Sequence, residues 1–192
     1  MYLGATDLSK LDLREVNFQG SDLSNAILRE VNLEGADLSG VILRSADLAS
    51  ANLTRANLDG AVLSEALLHS AQFGGASMEE CDLRGANLFH ARMEEANLKK
   101  ALLQGANLSE VNLTGANLRG ANLLNVSAVN STFVWADMRE AVLAKGDFTG
   151  TDFSDAKLSD ANLLQSTLVK TRLVATNFKA ATLKGSNLSV PE

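Results

Sequence analysis

Proline is all but missing from this chain, with one copy at position 191, and cysteine is reduced to Cys81. Without internal Pro, and with Gly scattered rather than clustered, no linker divides the 192 residues, which amount to one domain by length. A single Cys cannot form an intrachain disulfide, and a cytoplasmic location is the expectation. Aromatic residues are scarce at 5%, so the core has to be aliphatic. No run of 18 apolar residues occurs, which excludes a membrane-spanning helix. The start, Met1-Tyr2-Leu3-Gly4, has neither a charged n-region nor an apolar h-region, so no signal peptide is expected. Basic residues are outnumbered, 17 against 23 acidic, for a net charge of −6. With no basic face, direct nucleic-acid binding is not expected.

What the chain has is a beat of five. From Leu3 to Leu188 every fifth residue is 28 times Leu, six times Phe, three times Met and once Ala128. A helix repeats its apolar face near 3.6 residues and a strand near 2, so five fits neither. A fixed self-similar period marks a solenoid, in which each repeat buries its face against its neighbours. Two residues before each large apolar centre the side chain is small, Ala in 21 of 37 cases. Residues two apart on an extended segment share a side, so this small residue and the centre both point inward. The residue just before the centre is Asn or Asp in 22 of 37 pentads, side chains that hydrogen-bond nearby backbone and stabilise turns. Gly gathers at the last pentad position, 11 copies of 14, where a corner needs its freedom.

Units such as Ala106-Asn107-Leu108-Ser109-Glu110 and Ala116-Asn117-Leu118-Arg119-Gly120 resemble the A(D/N)LXX repeat of the pentapeptide-repeat family, and the likeness runs through essentially the whole chain. That resemblance implies an all-β fold, a right-handed quadrilateral parallel β-helix with four pentapeptides per coil. At 20 residues per coil the chain makes about nine to ten coils in one domain, 1–192. With strands ~4.8 Å apart the rod is roughly 45 Å long. Core residues then stack in columns 20 apart, such as Leu3, Leu23, Leu43 and onward to Leu183, and Ala128 leaves room beside Phe148.

Sorting the outer residues by position modulo 20 separates four sides. The first, beginning at residues 1, 21 and 41, replaces the usual Asn or Asp with Tyr2, Ile42, Val62, Leu102 and Val142, and adds Leu124 and Leu164. The second carries Ile27, Leu67, Phe89, Val129 and Val169, and the third has Val134, Trp135 and Val174. The fourth has no large apolar outward residue. An apolar stripe on one side of a rod has the character of an interface; the plain alternative is scattered β-formers that stiffen strands. The candidate interaction surface is therefore Tyr2, Ile42, Val62, Leu102, Leu124, Val142 and Leu164, with Trp135. Its partner is another protein or a second copy, since two-fold pairing needs only one patch. The repeat also runs nearly from end to end with no amphipathic helix to cover its terminal coils. That suggests end-to-end association, or a longer parent chain. The stretch 126–135 is the least regular and is a candidate bulge or contact.

Charges by side divide as +1, −2, −4 and −1, so no side is a strong acidic stripe, and the map sets Glu79 beside Lys99, Glu80 beside Lys100, and Lys10 beside Glu30. Along the axis, residues 1–95 carry 15 acids and 7 bases, and residues 96–192 carry 8 acids and 10 bases. No catalytic set emerges. His69, His90 and Glu110 fall on one side; three such ligands can hold zinc, but a surface His–Glu pair explains them without a metal. Cys81 replaces an inward Ala and reads as a buried, inert thiol. No enzyme activity, cofactor or metal is expected. Function follows as a binding scaffold or regulatory module acting through its outer sides. The resemblance supplies an alternative: quinolone-resistance members of the family mimic DNA and engage DNA gyrase. The scattered, weak acidity here and the absence of inserted loops speak against it.

Overall fold

Five backbone amides in each pentad need acceptors, and the way they find them sets the architecture. In the computed structural model, which describes residues 6–189, the pentad 116–120 shows the scheme. Asn117 N–H donates to Ala96 O at 3.0 Å in the preceding coil. Leu118 and Gly120 donate to Asp137 O and Arg139 O in the next coil, at 2.7 and 2.9 Å. Ala116 N–H closes a turn onto Leu113 O at 3.1 Å. The fifth amide, that of Arg119, donates to the side-chain Oδ1 of Asn117 at 3.2 Å. A buried or half-buried amide left open is costly, so each group here has its own acceptor.

The second residue of each pentad forms a parallel bridge with the residue 20 positions on, from Asp7↔Ile27 to Thr167↔Asn187, without a break. Bridged residues are thus four pentads apart, and pentads stack in four columns along a solenoid. Among the described residues there is no helix, and hence none long and apolar enough to cross a membrane. The stretch 126–135 contains no bulge: the bridges Asn112↔Thr132, Ser127↔Asp147 and Thr132↔Asp152 keep the register through it. The irregular sequence there is accommodated inside. Ser131 and Thr151, inward and buried, donate their hydroxyls to Leu108 O and Ala128 O at 2.5 and 2.6 Å. A polar group in the core is tolerated because it is paired.

Each corner residue from Lys10 to Gly185 lies in the left-handed region, with φ between 53° and 72°. Gly fits this without strain, yet 25 of these corners are not Gly. Corner geometry is imposed by the stacked coils, and Gly lowers its cost rather than causing it.

Inward positions are closed over their full length in the middle coils; Leu43, Leu63, Leu83 and Leu143 are fully buried. In the first and last described coils the equivalents Leu8, Phe18, Leu173 and Phe178 are only partly buried, as a coil flanked on one side must be. Where the leucine columns give way, aromatic rings fill the space. Phe133 and Phe153 stack at 5.2 Å and Phe148 lies against Phe153 at 5.5 Å. Ala128 is fully buried beside them. Gly146 is the matching inward residue: a Cβ there would stand 2.5 Å from the Phe148 ring.

Candidate interaction surface

The outward side chain at the second pentad position has two physical options. Asn or Asp folds back to accept the amide two residues on, as Asp22 does for Ser24 at 2.9 Å and Asn122 for Leu124 at 3.1 Å. All 22 Asn and Asp at this position do so. An aliphatic residue cannot. Behind Ile42, Val62, Leu102 and Val142, the amides of Arg44, Ser64, Gln104 and Ala144 donate to no protein group. The same places hold buried side-chain oxygens without partners, Ser64 Oγ and Gln104 Oε1. Sequence reasoning found the apolar residues and missed this second row; its only signal is the fourth pentad position behind each lost Asn or Asp.

The first side is flatter and less continuous than the sequence suggests. Ile42 and Val62 are bridged neighbours, with Ile42 37% exposed and Val62 half-buried. Asp82 then interrupts the stripe and is held in place by Arg84, whose Nε and Nη2 donate to it at 2.8 and 2.7 Å. Leu102, Leu124, Val142 and Leu164 follow in four successive coils, all half-buried, with Ala144 covered between them. Asn122 and Asn162 separate them within their column. Tyr2 lies outside the described residues. Trp135 belongs to a different column and, among the described residues, is the most exposed large apolar one, at 64%. Val174 accompanies it on the third side, while Ile27, Leu67 and Phe89 are exposed outward-facing apolar residues of the second. The structure therefore places Ile42 beside Val62, and sets Leu102, Leu124, Val142 and Leu164 on four successive coils of one side with Asn122 and Asn162 between them. It does not bring Trp135 to either group.

Charges are consumed locally. Lys99 and Lys100 pair with Glu79 and Glu80, each at 2.8 Å, and Lys10 lies 3.6 Å from Glu30. Arg119 pairs with Glu140 at 2.6 Å. The Arg84 and Arg139 guanidiniums hydrogen-bonded to Asp82 and Asp137 hold both carboxyls below the usual carboxylate range. Cys81 is buried, and burial pushes its thiol well above the ordinary range, which suppresses the nucleophilic thiolate. His90 meets Glu110 at 3.7 Å. Among the described residues no three His, Cys, Asp or Glu side chains gather as a metal ion requires.

Comparison with solved structures places this geometry among known ones. HetL, a pentapeptide repeat protein involved in heterocyst differentiation regulation from the cyanobacterium Nostoc sp. strain PCC 7120, is 28% identical over 96% of this chain and 87% of its own, with a TM-score of 0.53. Trypsin-treated QnrB1, a plasmid-mediated fluoroquinolone resistance protein, is 20% identical over 93% of this chain and 90% of its own, with a TM-score of 0.63. Full-length QnrB1 aligns over 92% of both chains with a TM-score of 0.51. At 20% identity the QnrB1 likeness is one of fold. No curated protein matches the chain significantly. The family described as pentapeptide repeats matches in 8 copies, over residues 6–45, 46–85, 66–105, 106–144, 117–155 and 156–189. Covered by those matches from its first described residue to its last, the chain belongs to the pentapeptide-repeat family.

Proposed function

We propose that this protein is a non-enzymatic interaction scaffold: a right-handed, four-sided parallel β-helix of nine to ten coils that engages a protein partner through its first side. One observation carries the reading. At Ile42, Val62, Leu102 and Val142 the chain gives up an Asn or Asp that would satisfy an amide within its own turn, a bond worth about 1 kcal/mol. The half-buried aliphatic side chains recover part of that loss, but the arrangement serves contact better than folding. HetL, with its part in differentiation control, is a fold relative whose described role suits the same mode of action.

Replacing Ile42, Val62, Leu102 and Val142 with Asn tests this. Thermal stability should hold or rise, because each Asn can cap the open amide two residues on. Mass in solution and retention of binding partners should fall. A folded quadruple variant with unchanged mass and unchanged partners overturns the proposal.

DNA mimicry toward gyrase is the second reading, favoured by the net charge of −6 and by the fold shared with QnrB1. Neutralisation of Glu79, Glu80 and Glu140 by cross-coil Lys and Arg removes the row of bare anions that a phosphate backbone would require. A supercoiling assay with gyrase decides it: inhibition at micromolar protein would reinstate mimicry over the scaffold.

A further inference from the structure

We propose that the occupant of the first side is a second copy of this chain, docked antiparallel about a two-fold axis that crosses the face at the level of Asn122 and Leu124. The inference deepens the scaffold reading and rests on it.

The coil register makes the proposal specific. Because bridged residues differ by 20, a two-fold axis lying in the contact plane and perpendicular to the rod reverses the order of coils and keeps every residue in its own column. With the axis at Leu124, that residue meets its own copy, and Leu102 meets Val142 of the second copy on both sides of the axis. The same operation sets Lys100 opposite Glu140 twice, along the corner next to the face. Both are well exposed, their side chains 58% and 55% accessible, so their intrachain partners leave them available. One coil further from the axis the operation sets Glu80 opposite Asp160, where the Glu80 carboxylate is already paired with Lys100 at 2.8 Å. The apolar and charged groups nearest the axis thus become complementary under one operation.

Register is decided by the same charges. Moving the axis one coil toward the N-terminus sets Lys100 against Lys100, and one coil the other way sets Glu140 against Glu140. Like charges facing each other oppose docking, and of these three registers only the intermediate one avoids both. Area is sufficient. The molecule exposes 8539 Å², of which one of four sides carries roughly 2,000 Å², against the ~800 Å² per partner that a stable interface needs. A closed two-fold contact also uses one patch twice and stops at two copies.

Sedimentation equilibrium of the intact chain provides the test. Wild type should be a dimer at micromolar concentration. Lys100→Glu alone and Glu140→Lys alone should each weaken it about tenfold or more, since each places two like-charge contacts. The two substitutions combined in one chain should restore it. Each single change breaks only an exposed intrachain pair, so the fold is retained. In a Cys81→Ala background, which matches the Ala of its inward column, Leu124→Cys should form a disulfide-linked dimer under mild oxidation. Leu67→Cys on the second side should not. A wild type that stays monomeric at tens of micromolar, or charge reversals whose combination fails to restore the dimer, overturns the pairing. Either result leaves the scaffold reading standing, since that is judged by partner retention in the quadruple Asn variant.

Discussion

The first and fourth sides of the rod are built from the same pentad, and pentads 101–105 and 116–120 solve the same backbone problem in opposite ways. On the fourth side, Asn117 accepts the amide of Arg119 and its own Nδ2 reaches Asn97 Oδ1 in the coil below at 3.0 Å. The turn is closed within the chain, and nothing is left for a partner. On the first side, pentad 101–105 makes the other four bonds of the scheme, including Leu102 to Cys81 O and Leu103 to Asn122 O. The amide of Gln104 stays open beneath a leucine. The coil itself does not distinguish the two sides; a single side chain per pentad does. A solenoid can therefore assign one side to contact without altering its core, because surface chemistry and winding are specified by different positions.

The strongest challenge to that separation lies in the core. Leu103 under the first side and Leu118 under the fourth are both fully buried, so truncation to Ala should cost each about 2–5 kcal/mol. Chemical denaturation of both variants checks this. Costs that differ by more than the spread among core leucines generally would mean that the sides are not built on one common core.

A smaller effect should differ in sign between the sides. Asn117→Ala removes the acceptor for Arg119 and the link to Asn97 and should destabilise by about 1–2 kcal/mol. Leu102→Asn should lie between neutral and about 1 kcal/mol of stabilisation, because it supplies the missing acceptor for Gln104. If Leu102→Asn destabilises as much as Asn117→Ala, the leucine serves packing, and the contrast between the sides is wrong.

The smallest expected effect is acid sensitivity, and it should be shared. Asp82 on the first side and Asp137 on the fourth are each held below the normal range by the Arg two residues on. A depressed folded-state value means that the contribution is complete above the unfolded pKa, roughly 3.9, and fades as pH falls through the folded one. Melting temperature followed from pH 6 downward should drop less steeply below about pH 4 in Asp82→Asn and Asp137→Asn than in wild type. Asn retains the turn bond while removing the charge, so the difference reports the ion pair alone.

Much of this was legible in the sequence because periodicity and burial are tied one to one in a solenoid. The five-residue beat led to the inward columns, and the modulo-20 map led to Glu79–Lys99, Glu80–Lys100 and Lys10–Glu30, all formed. What escaped depends on atoms that a residue pattern does not carry. The open amides behind Leu102 and Val142 belong to Gln104 and Ala144, whose own identities are unremarkable. Gly146 looked like any other glycine, yet its missing Cβ is where the Phe148 ring sits. The apparent irregularity of 126–135 was a change of filling, with Ser131 and Phe133 replacing Ala and Leu inside an unbroken ladder. Half-burial of the first-side aliphatics arises from neighbours one coil away, a quantity the linear pattern states only as adjacency.

The bridge spacing of 20 also turns insertion length into rotation. One added pentad between Leu113 and Ala116 would leave every inward column filled, yet advance all that follows by a quarter revolution. Leu124 and Val142 would swing to a different flank from Leu102, and the apolar residues of one side would be divided between two. Twenty added residues would instead restore alignment and merely lengthen the rod. Such a protein can be re-aimed by duplication in steps of five and extended in steps of twenty, with no new core to invent.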